Sequence, residues 1–232
     1  MYDFHTHSFL SDGDLSPIEL IRRAMVAGYQ AIAITDHASP SNIEQVIRAV
    51  SADCEIARKE WNFLAIPGVE LTHVPARAID NLAGQAKRLG AWLVVVHGET
   101  IVEPVEKGTN RAAASSKFVD ILAHPGLLTL ADMSMAVANG IFVEISARRG
   151  HSLANGHVAS LGRRQGAKLL LNSDAHDCDD LLTKPLATAI AAGAGLGRTS
   201  AKEVLETNPS ALLAKLDAAL PDQQIGRWIR RD

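Results

Sequence analysis

Histidine and carboxylate residues recur along this chain of 232 residues, in most cases directly after a short apolar segment. Nine positions make up the candidate set: His5, His7, Asp12, His37, Glu70, His97, His124, Asp174 and His176. Imidazole and carboxylate groups together are typical ligands of zinc, manganese and iron. Packed together without a cation, so many of these groups would repel one another and lose hydration at a high cost. The set therefore predicts a site for divalent metal ions.

Two pairs in this set are separated by a single residue, His5 from His7 and Asp174 from His176. Residues two apart on an extended strand lie on the same side of it, so each pair can direct both side chains into one cluster. A lone histidine after an apolar segment is usually a core or capping residue. The repetition of this pattern along the chain favours a shared site instead.

Seven apolar segments are predicted to be the strands that carry these residues. They are Tyr2–Phe4, Ala31–Thr35, Phe63–Ile66, Trp92–Val96, Val119–Ala123, Ile141–Ile145 and Lys168–Leu171. Most are continuously apolar, which is typical of parallel strands buried on both faces. Helical segments separate them; the first begins after Ser16 and ends at Gly28, residues that commonly delimit helices. Alternating strands and helices indicate βαβ units.

This order of elements predicts an α/β fold, a closed (β/α) barrel of seven strands, with an open doubly wound sheet as the alternative. In a parallel barrel the carboxyl ends of the strands meet on one face, where active sites lie. Six of the seven predicted strands carry an ionisable residue at that end. We expect one domain over residues 1–232, with the barrel core at 1–180, C-terminal helices at 181–220 and a frayed segment at 223–232.

The composition, 47% hydrophobic and 21% charged with a net charge of −3, is typical of a globular protein. Without a basic excess it argues against nucleic acid as a partner. Apolar segments such as Leu93–Val96 are too short to span a membrane, and no signal peptide is evident at the start of the sequence. Cys54 and Cys178 are expected to be reduced thiols of a cytoplasmic protein. The oligomeric state stays open.

Several short motifs resemble those of the PHP (polymerase and histidinol phosphatase) domain family. They are His5-Thr6-His7-Ser8 with Ser11-Asp12-Gly13, Thr35-Asp36-His37, Gly68-Val69-Glu70, His124-Pro125-Gly126 and Ser173-Asp174-Ala175-His176. They follow one another in the order expected for that family. The resemblance implies a distorted (β/α)7 TIM-like barrel with a trinuclear metal centre. We therefore expect two or three divalent ions, of zinc, manganese or iron.

Carried over position by position, the resemblance implies three groups of ligands. The first ion would bind His5, His7, Glu70 and Asp174, the second Glu70, His97 and His124, and the third Asp12, His37 and His176. Some members have a histidine where this chain has Asp12. Glu70, which two ions would share, and Asp174 and His176 are the candidate catalytic residues.

Charge favours phosphate as the ligand of such a centre. Three divalent ions and the carboxylates of Asp12, Glu70 and Asp174 leave a charge of about +3, which attracts a dianion. The expected reaction is hydrolysis of a small phosphorylated metabolite, as in a histidinol phosphatase, by a metal-bridging hydroxide that attacks phosphorus. The alternatives are a phosphodiesterase or 3′–5′ exonuclease, a zinc amidohydrolase, and a metal-binding structural module without activity.

Four further residues are candidates for substrate binding. Arg148, Arg149 and His151 follow the sixth predicted strand, on the expected active face. Arg111 lies in the loop after His97, which follows the fourth predicted strand. An arginine can hold phosphate through two parallel N–H groups, so these side chains are expected to contact the substrate.

Three acidic residues near the ligands have a supporting role in this interpretation. Asp36 and Glu99 are each adjacent to or near a predicted ligand, and we expect them either to orient histidines or to cap helices. Glu144 lies within a predicted strand. It is expected to point into the barrel or to be paired there, because an unpaired buried carboxylate is costly.

Overall fold

The computed structural model describes residues 1–220 and 225–229. Its strands are β1 (Tyr2–Asp3), β2 (Ala31–Ile34), β3 (His37–Ala38), β4 (Leu64–Leu71), β5 (Leu93–His97), β6 (Ile121–Ala123), β7 (Phe142–Ser146) and β8 (Leu169–Asn172). All pairs are parallel, in the order β1-β2-β4-β5-β6-β7-β8, with β3 beside β4. The seven predicted strands are confirmed; the two-residue β3 was not predicted.

The two edge strands of this sheet approach each other at the carboxyl end. The backbone N–H of His7 donates to the carbonyl of Ala175 at 2.8 Å, and Asp174 donates to His5 at 3.0 Å. Thr6 and Ala175 form a parallel bridge. These contacts make the sheet a nearly closed barrel, consistent with the distorted TIM-like fold and not with the open doubly wound alternative.

Strand β4 is longer than the sequence indicates. The prediction ended it at Ile66 because Pro67 and Gly68 interrupt the apolar segment, whereas the strand continues to Leu71. Its pairing explains the difference, since Pro67 is in register with β2 and Gly68 with the first residue of β5. A Cβ atom at Gly68 would lie 2.9 Å from the side chain of Thr35, so glycine allows this close approach.

Six of the described α-helices connect strands on the outside of the barrel, and four follow β8. They are α1 (Pro17–Val26), α2 (Ile43–Glu60), α3 (Ile79–Arg88), α4 (Thr109–Ser115), α5 (Leu130–Ala138), α6 (Asn155–Gln165), α7 (Lys184–Gly193), α8 (Arg198–Lys202), α9 (Asn208–Ala219) and α10 (Gly226–Ile229). Ser16 caps α1 as predicted, accepting a hydrogen bond from the N–H of Glu19. Among the described helices, none has the length and apolar composition needed to cross a bilayer.

Two apolar cores result from the alternation of side chains along the strands. Ile32 and Ile34 pack in the outer core between sheet and helices, and Ala31 and Ala33 face the interior of the barrel. Three leucines of α9, at positions 212, 213 and 216, also belong to the interior core.

Helix α9 closes the amino end of the barrel. Its Asn208 donates to the carbonyl of Leu169 at the start of β8, and its Lys215 donates to the carbonyl of Gly140 just before β7. Fraying was predicted for 223–232, but residues 226–229 form α10 and Ile225 is buried. The rest of that segment lies outside the described residues.

Candidate metal centre

The nine predicted ligands converge at the carboxyl end of the barrel. A cavity of about 250 Å³ is lined by six of them, Asp12, His37, His97, His124, Asp174 and His176. The other three, His5, His7 and Glu70, are fully buried and contact these lining residues. The parallel register explains the convergence, because eight of the nine residues sit at or shortly beyond the carboxyl end of a strand and Asp12 lies in the loop after β1.

His5 is held by a buried carboxylate inside the barrel. Its Nδ1 lies 2.8 Å from Oε2 of Glu144, which also accepts a hydrogen bond from the side chain of Asn172 at 2.8 Å. This leaves Nε2 of His5 directed at Glu70 Oε1 (3.2 Å) and Asp174 Oδ1 (3.8 Å). A carboxylate that accepts from one ring nitrogen orients the other toward a metal, so Glu144 is a paired residue with a positioning role.

Glu70 presents its two oxygen atoms to different histidines. Oε1 lies 3.2 Å from Nε2 of His5 and 3.5 Å from Nε2 of His124. Oε2 lies 2.6 Å from Nδ1 of His37 and accepts a hydrogen bond from the Thr72 hydroxyl at 3.0 Å. A carboxylate placed between two groups of imidazoles has the geometry of a ligand that bridges two cations.

Asp174 occupies a similar position between histidines, on a backbone of unusual conformation. Its Oδ1 lies 3.2 Å from Nε2 of His7, and its Oδ2 lies 3.7 Å from Nε2 of His124. Asp174 has φ of 55° and His124 has φ of 25°, both in the left-handed region that side chains rarely adopt. Such conformations concentrate at functional sites, where the surrounding structure holds them.

A third group comes together around Asp12. Its Oδ1 lies 3.4 Å from Nε2 of His37, and its Oδ2 lies 3.2 Å from Nε2 of His176. Asp36 holds the loop that carries Asp12, because it accepts hydrogen bonds from the backbone N–H of Ser8 and from the hydroxyl of Ser11, each at 2.7 Å. Asp36 therefore orders a loop and does not orient a histidine.

The loop between β5 and α4 contributes an acidic residue that sequence analysis missed. Oε2 of Glu103 lies 3.1 Å from Nε2 of His97 and 3.3 Å from Nε2 of His73, and Oε1 lies 3.4 Å from Nε2 of His151. The hydrogen bond with His97 lowers the pKa of Glu103 to about 2. Glu103 does not follow a predicted strand, and only its place in a loop on the active face could have indicated it.

Carboxylates and burial act in opposite directions on two of the histidines. Burial alone would lower the pKa of His5, but Glu144 and Glu70 outweigh it and raise that pKa well above its ordinary value. In the same way Glu70 and Asp12 overcome burial and raise the pKa of His37 to about 10. Both rings lie where positive charge is strongly favoured, which is the environment that a cation requires.

Two other histidines are held in the neutral form. Burial and repulsion by His37 lower the pKa of His7 to about 4. Burial and repulsion by His124 lower the pKa of His151 to about 4. A neutral imidazole keeps a nitrogen lone pair, which is the form that binds metal ions.

The residues fit divalent cations. Buried nitrogens and oxygens that lack a partner with hydrogen-bonding geometry among the described residues are found in His5, His7, Glu70, His124 and Glu144. Metal–ligand bonds of about 2.0–2.2 Å place tetrahedral ligand atoms about 3.3–3.6 Å apart. The separations of 3.2 Å and 3.5 Å from Glu70 to His5 and His124 lie close to that range. Metal ions would satisfy these atoms and neutralise the charge.

The four candidate substrate-binding residues differ in whether they lie at the cavity. Arg148 lines the cavity and donates to the backbone carbonyl of Asp174 at 3.2 Å. Arg149 is exposed and lines an adjoining cavity of about 380 Å³. Arg111 does not reach the site, because it lies within α4 and its Nε donates to Asp132 of α5 at 2.6 Å.

Glu99 has the capping role that was one of its two predicted alternatives. Its Oε1 accepts hydrogen bonds from the backbone N–H groups of Gly108 and Asn110, each at 2.9 Å, at the start of α4. The N–H of Glu99 in turn donates to the side chain of Asn110. These bonds fix both ends of the loop that carries Glu103.

Comparisons with known proteins identify relatives that match almost the whole chain. An uncharacterized protein of Methanocaldococcus jannaschii is 47% identical over 93% of this chain and 99% of its own length. Ribonuclease P protein component 3 of Methanosarcina acetivorans is 26% identical over 92% of this chain and 89% of its own.

Solved structures show the same fold at low sequence identity. A chain from archaeal ribonuclease P with mature tRNA has a TM-score of 0.69 at 13% identity, covering 94% of this chain and 93% of that one. Metal-dependent tyrosine phosphatases from Bacillus subtilis and Streptococcus pneumoniae give 0.55 at 17% identity, covering 96% and 95%. The family model described as the PHP domain matches residues 3–182. The chain belongs to the PHP domain family.

Proposed function

We propose that this protein is a metal-dependent phosphoesterase that hydrolyses a small phosphorylated substrate. The observation that carries this proposal is the convergence of nine imidazole and carboxylate side chains, several with buried unpartnered atoms, on one cavity. Bound metal ions would acidify a water molecule and neutralise charge on phosphate oxygens. A full set of ligands favours an active enzyme over a purely structural metal-binding module.

The chain would hold two or three ions, of zinc, manganese or iron. The expected groups are His5, His7, Glu70 and Asp174 for the first, Glu70, His97 and His124 for the second, and Asp12, His37 and His176 for the third. The clustering of His5, His7 and Asp174 supports the first group, and that of His7, Asp12, His37 and His176 supports the third.

Three ligands are proposed as catalytic, two because they lie between groups of histidines and one because it borders the cavity. Glu70 and Asp174 each face several histidines, so each can hold two ions at a fixed separation. His176 borders the cavity with 13% of its side chain exposed, where it can contact the substrate. Its Nδ1 is held at 2.9 Å from the backbone carbonyl of Asp174.

Two arginines are proposed to bind the phosphate. Arg148 enters the cavity beside Asp174, and a planar guanidinium can donate two parallel hydrogen bonds to phosphate oxygens. Arg149 lines the adjoining cavity, where it can bind the rest of a phosphorylated molecule. Arg111 has no part in this proposal because it pairs with Asp132.

A phosphodiester in RNA is the second candidate substrate. The relative in Methanosarcina acetivorans is named as a protein component of ribonuclease P and matches over 92% of this chain. That likeness runs against the expectation, drawn from the net charge of −3, that nucleic acid is an unlikely partner. In such a role the same metal ligands would act on a diester, or the chain would serve as a subunit of an RNA–protein complex.

Substrate profiling tests the proposal. The purified protein, loaded with Mn²⁺ or Zn²⁺, is assayed for phosphate release from monoesters, including histidinol phosphate, and for cleavage of a model diester and an end-labelled oligoribonucleotide. We expect metal-dependent release from monoesters, abolished by a chelator and restored by the metal. Cleavage of the diester or RNA alone would favour the second candidate. No hydrolysis by the fully loaded protein would refute the proposed activity.

A further inference from the structure

The carboxylate of Glu103 lies where the second metal ion is expected. It reaches Nε2 of His97 (3.1 Å) with one oxygen and Nε2 of His151 (3.4 Å) with the other. Neither Glu103 nor His151 belongs to the ligand groups that the family resemblance implies. Both side chains line the same cavity as His97 and His124.

His97 is directed at Glu103 and not at Glu70. Among described residues, the histidines that form ion-pair contacts with Glu70 are His5, His7, His37 and His124, and His97 is not one of them. The other ring nitrogen of His97 faces the carbonyl of Gly98 at 3.2 Å. The ring is therefore oriented toward the loop carboxylate.

Three imidazoles meet beside this carboxylate. His97, His124 and His151 each offer a ring nitrogen, and these atoms all lie within 4.8 Å of one another. The rings of His124 and His151 are stacked with centroids 4.1 Å apart. Tetrahedral ligand atoms around zinc lie about 3.3–3.6 Å apart. Oε2 of Glu103 lies 3.1 Å from His97 and 3.3 Å from His73, and Oε1 lies 3.4 Å from His151, so the two oxygens of this carboxylate approach different rings at separations near that range.

Hydrogen bonds hold His151 and the loop that carries Glu103 in place. The hydroxyl of Thr100 lies 2.7 Å from Nδ1 of His151, which directs Nε2 of that ring toward Glu103. Glu99 fixes the far end of the loop through the N–H groups of Gly108 and Asn110. A second contact between the two loops forms where Val102 approaches Gly150. This arrangement gives a built site and not a chance approach of surface groups.

We infer that Glu103 and His151 are ligands of the second metal ion, together with His97 and His124. Three imidazoles and one carboxylate form a set that suits Zn²⁺. The inference gives His151 a ligand's role in place of the substrate contact predicted from sequence. It rests on the metal-binding part of the proposed function and does not depend on hydrolysis.

Metal binding by the full chain tests this inference. Metal-free protein is prepared with a chelator, Zn²⁺ is added in competition with a coloured indicator, and bound zinc is counted by elemental analysis. Glu103→Gln should weaken the binding of one ion by at least about tenfold, the scale seen when even supporting groups of a metal site are removed. Glu106→Gln is the matched control, because Glu106 is an exposed carboxylate of the same loop. The one hydrogen bond found for its side chain among the described residues is accepted from the N–H of Ala76.

A second variant guards against a local effect on the loop. His151→Gln should weaken the same ion, and the double variant should lose no further ion. Thermal unfolding of each metal-free variant verifies that it is folded. The inference is overturned if Glu103→Gln and His151→Gln bind zinc with the stoichiometry and affinity of Glu106→Gln, or if the unaltered protein binds no zinc.

The outcome separates this inference from the proposed activity. If zinc binding depends on Glu103 but the protein hydrolyses no phosphate ester, the inference holds and the proposed activity is refuted. If the protein hydrolyses a phosphate ester but its zinc binding does not depend on Glu103 or His151, the proposed activity holds and the inference is refuted.

Discussion

A methyl group at position 13 should displace Asp12 from the third ligand group. A Cβ atom at Gly13 would lie 2.4 Å from the backbone oxygen of His7, whereas such contacts are essentially never shorter than 3.0 Å. The loop would have to move by about 0.6 Å, the difference between these distances. Ligand distances in a working metal site hold to within about 0.2 Å, so this shift exceeds the tolerance about threefold.

The same movement would reach a second ligand. The N–H of Asp14 donates to the carbonyl of His176 at 2.7 Å, so the loop is bonded to the backbone of another member of the group. We expect Gly13→Ala to lose one ion per chain while the others stay bound, and to destabilise the protein by about 1–3 kcal/mol. Elemental analysis after dialysis measures the first effect, and thermal unfolding measures the second.

Gly156→Ala is the matched control for this substitution. A Cβ atom at Gly156 in α6 would meet nothing within 4 Å, so alanine should leave the metal content unchanged. It should add up to about 1 kcal/mol of stability through helix propensity. If Gly13→Ala retained all its ions at unchanged affinity, the tight turn would not be what positions Asp12, and the reasoning would be refuted.

Four other substitutions and treatments have expected outcomes. Glu70→Gln should release at least one ion and abolish hydrolysis while the circular dichroism spectrum stays native, because a neutral amide bridges two cations poorly. Glu144→Gln should weaken one ion by about 10–100-fold in a calorimetric titration, since the buried ring that it orients loses a charged partner. Arg148→Ala should raise KM with less effect on kcat in steady-state assays, as expected for a group that binds the substrate equally in the ground state and the transition state. A thiol reagent should modify Cys178 alone in the native protein and both thiols after denaturation, because burial raises the pKa of Cys54 to about 12.

Each of these outcomes has a control and a contrary result. Arg111→Ala, at a residue that pairs with Asp132, should leave KM unchanged. An effect of Arg148→Ala on kcat alone would contradict ground-state binding. Native-like hydrolysis by Glu70→Gln, or unaltered zinc affinity in Glu144→Gln, would contradict the bridging and positioning roles. Modification of Cys54 in the folded protein would show that its burial is incomplete.

The strands could be predicted because a parallel strand that is buried on both faces consists mostly of consecutive apolar residues. The segment Trp92–Val96, for example, is continuously apolar, and the structure has strand β5 within one residue of it. Ligand convergence was predictable for the same reason, since a parallel barrel brings strand ends together. Pro67 and Gly68 obscured the length of β4 because a change of pairing partner has no signal in a single sequence.

The paths of the loops and the contacts of the helix faces were much harder to predict from the sequence. Glu103 depends on how the loop after β5 folds over the cavity, and no periodic pattern fixes that path. Arg111 was assigned to the cavity because it follows His97, but the first turn of α4 directs it at Asp132 on α5. The place of α9 was also hidden, since its leucines have the spacing of any amphipathic helix.

The meeting of the first and last strands constrains how the protein can be made. The N–H of Phe4 is bonded to the side chain of Asn172, 168 residues further along the chain, and α9 covers the amino end only after that. During synthesis, the histidines at the start of the chain would therefore leave the ribosome long before the residues with which they form the cluster. Contacts so distant in sequence slow folding, and unfinished barrels expose apolar strands. Chaperone assistance and late metal loading are the expected consequences for production in cells.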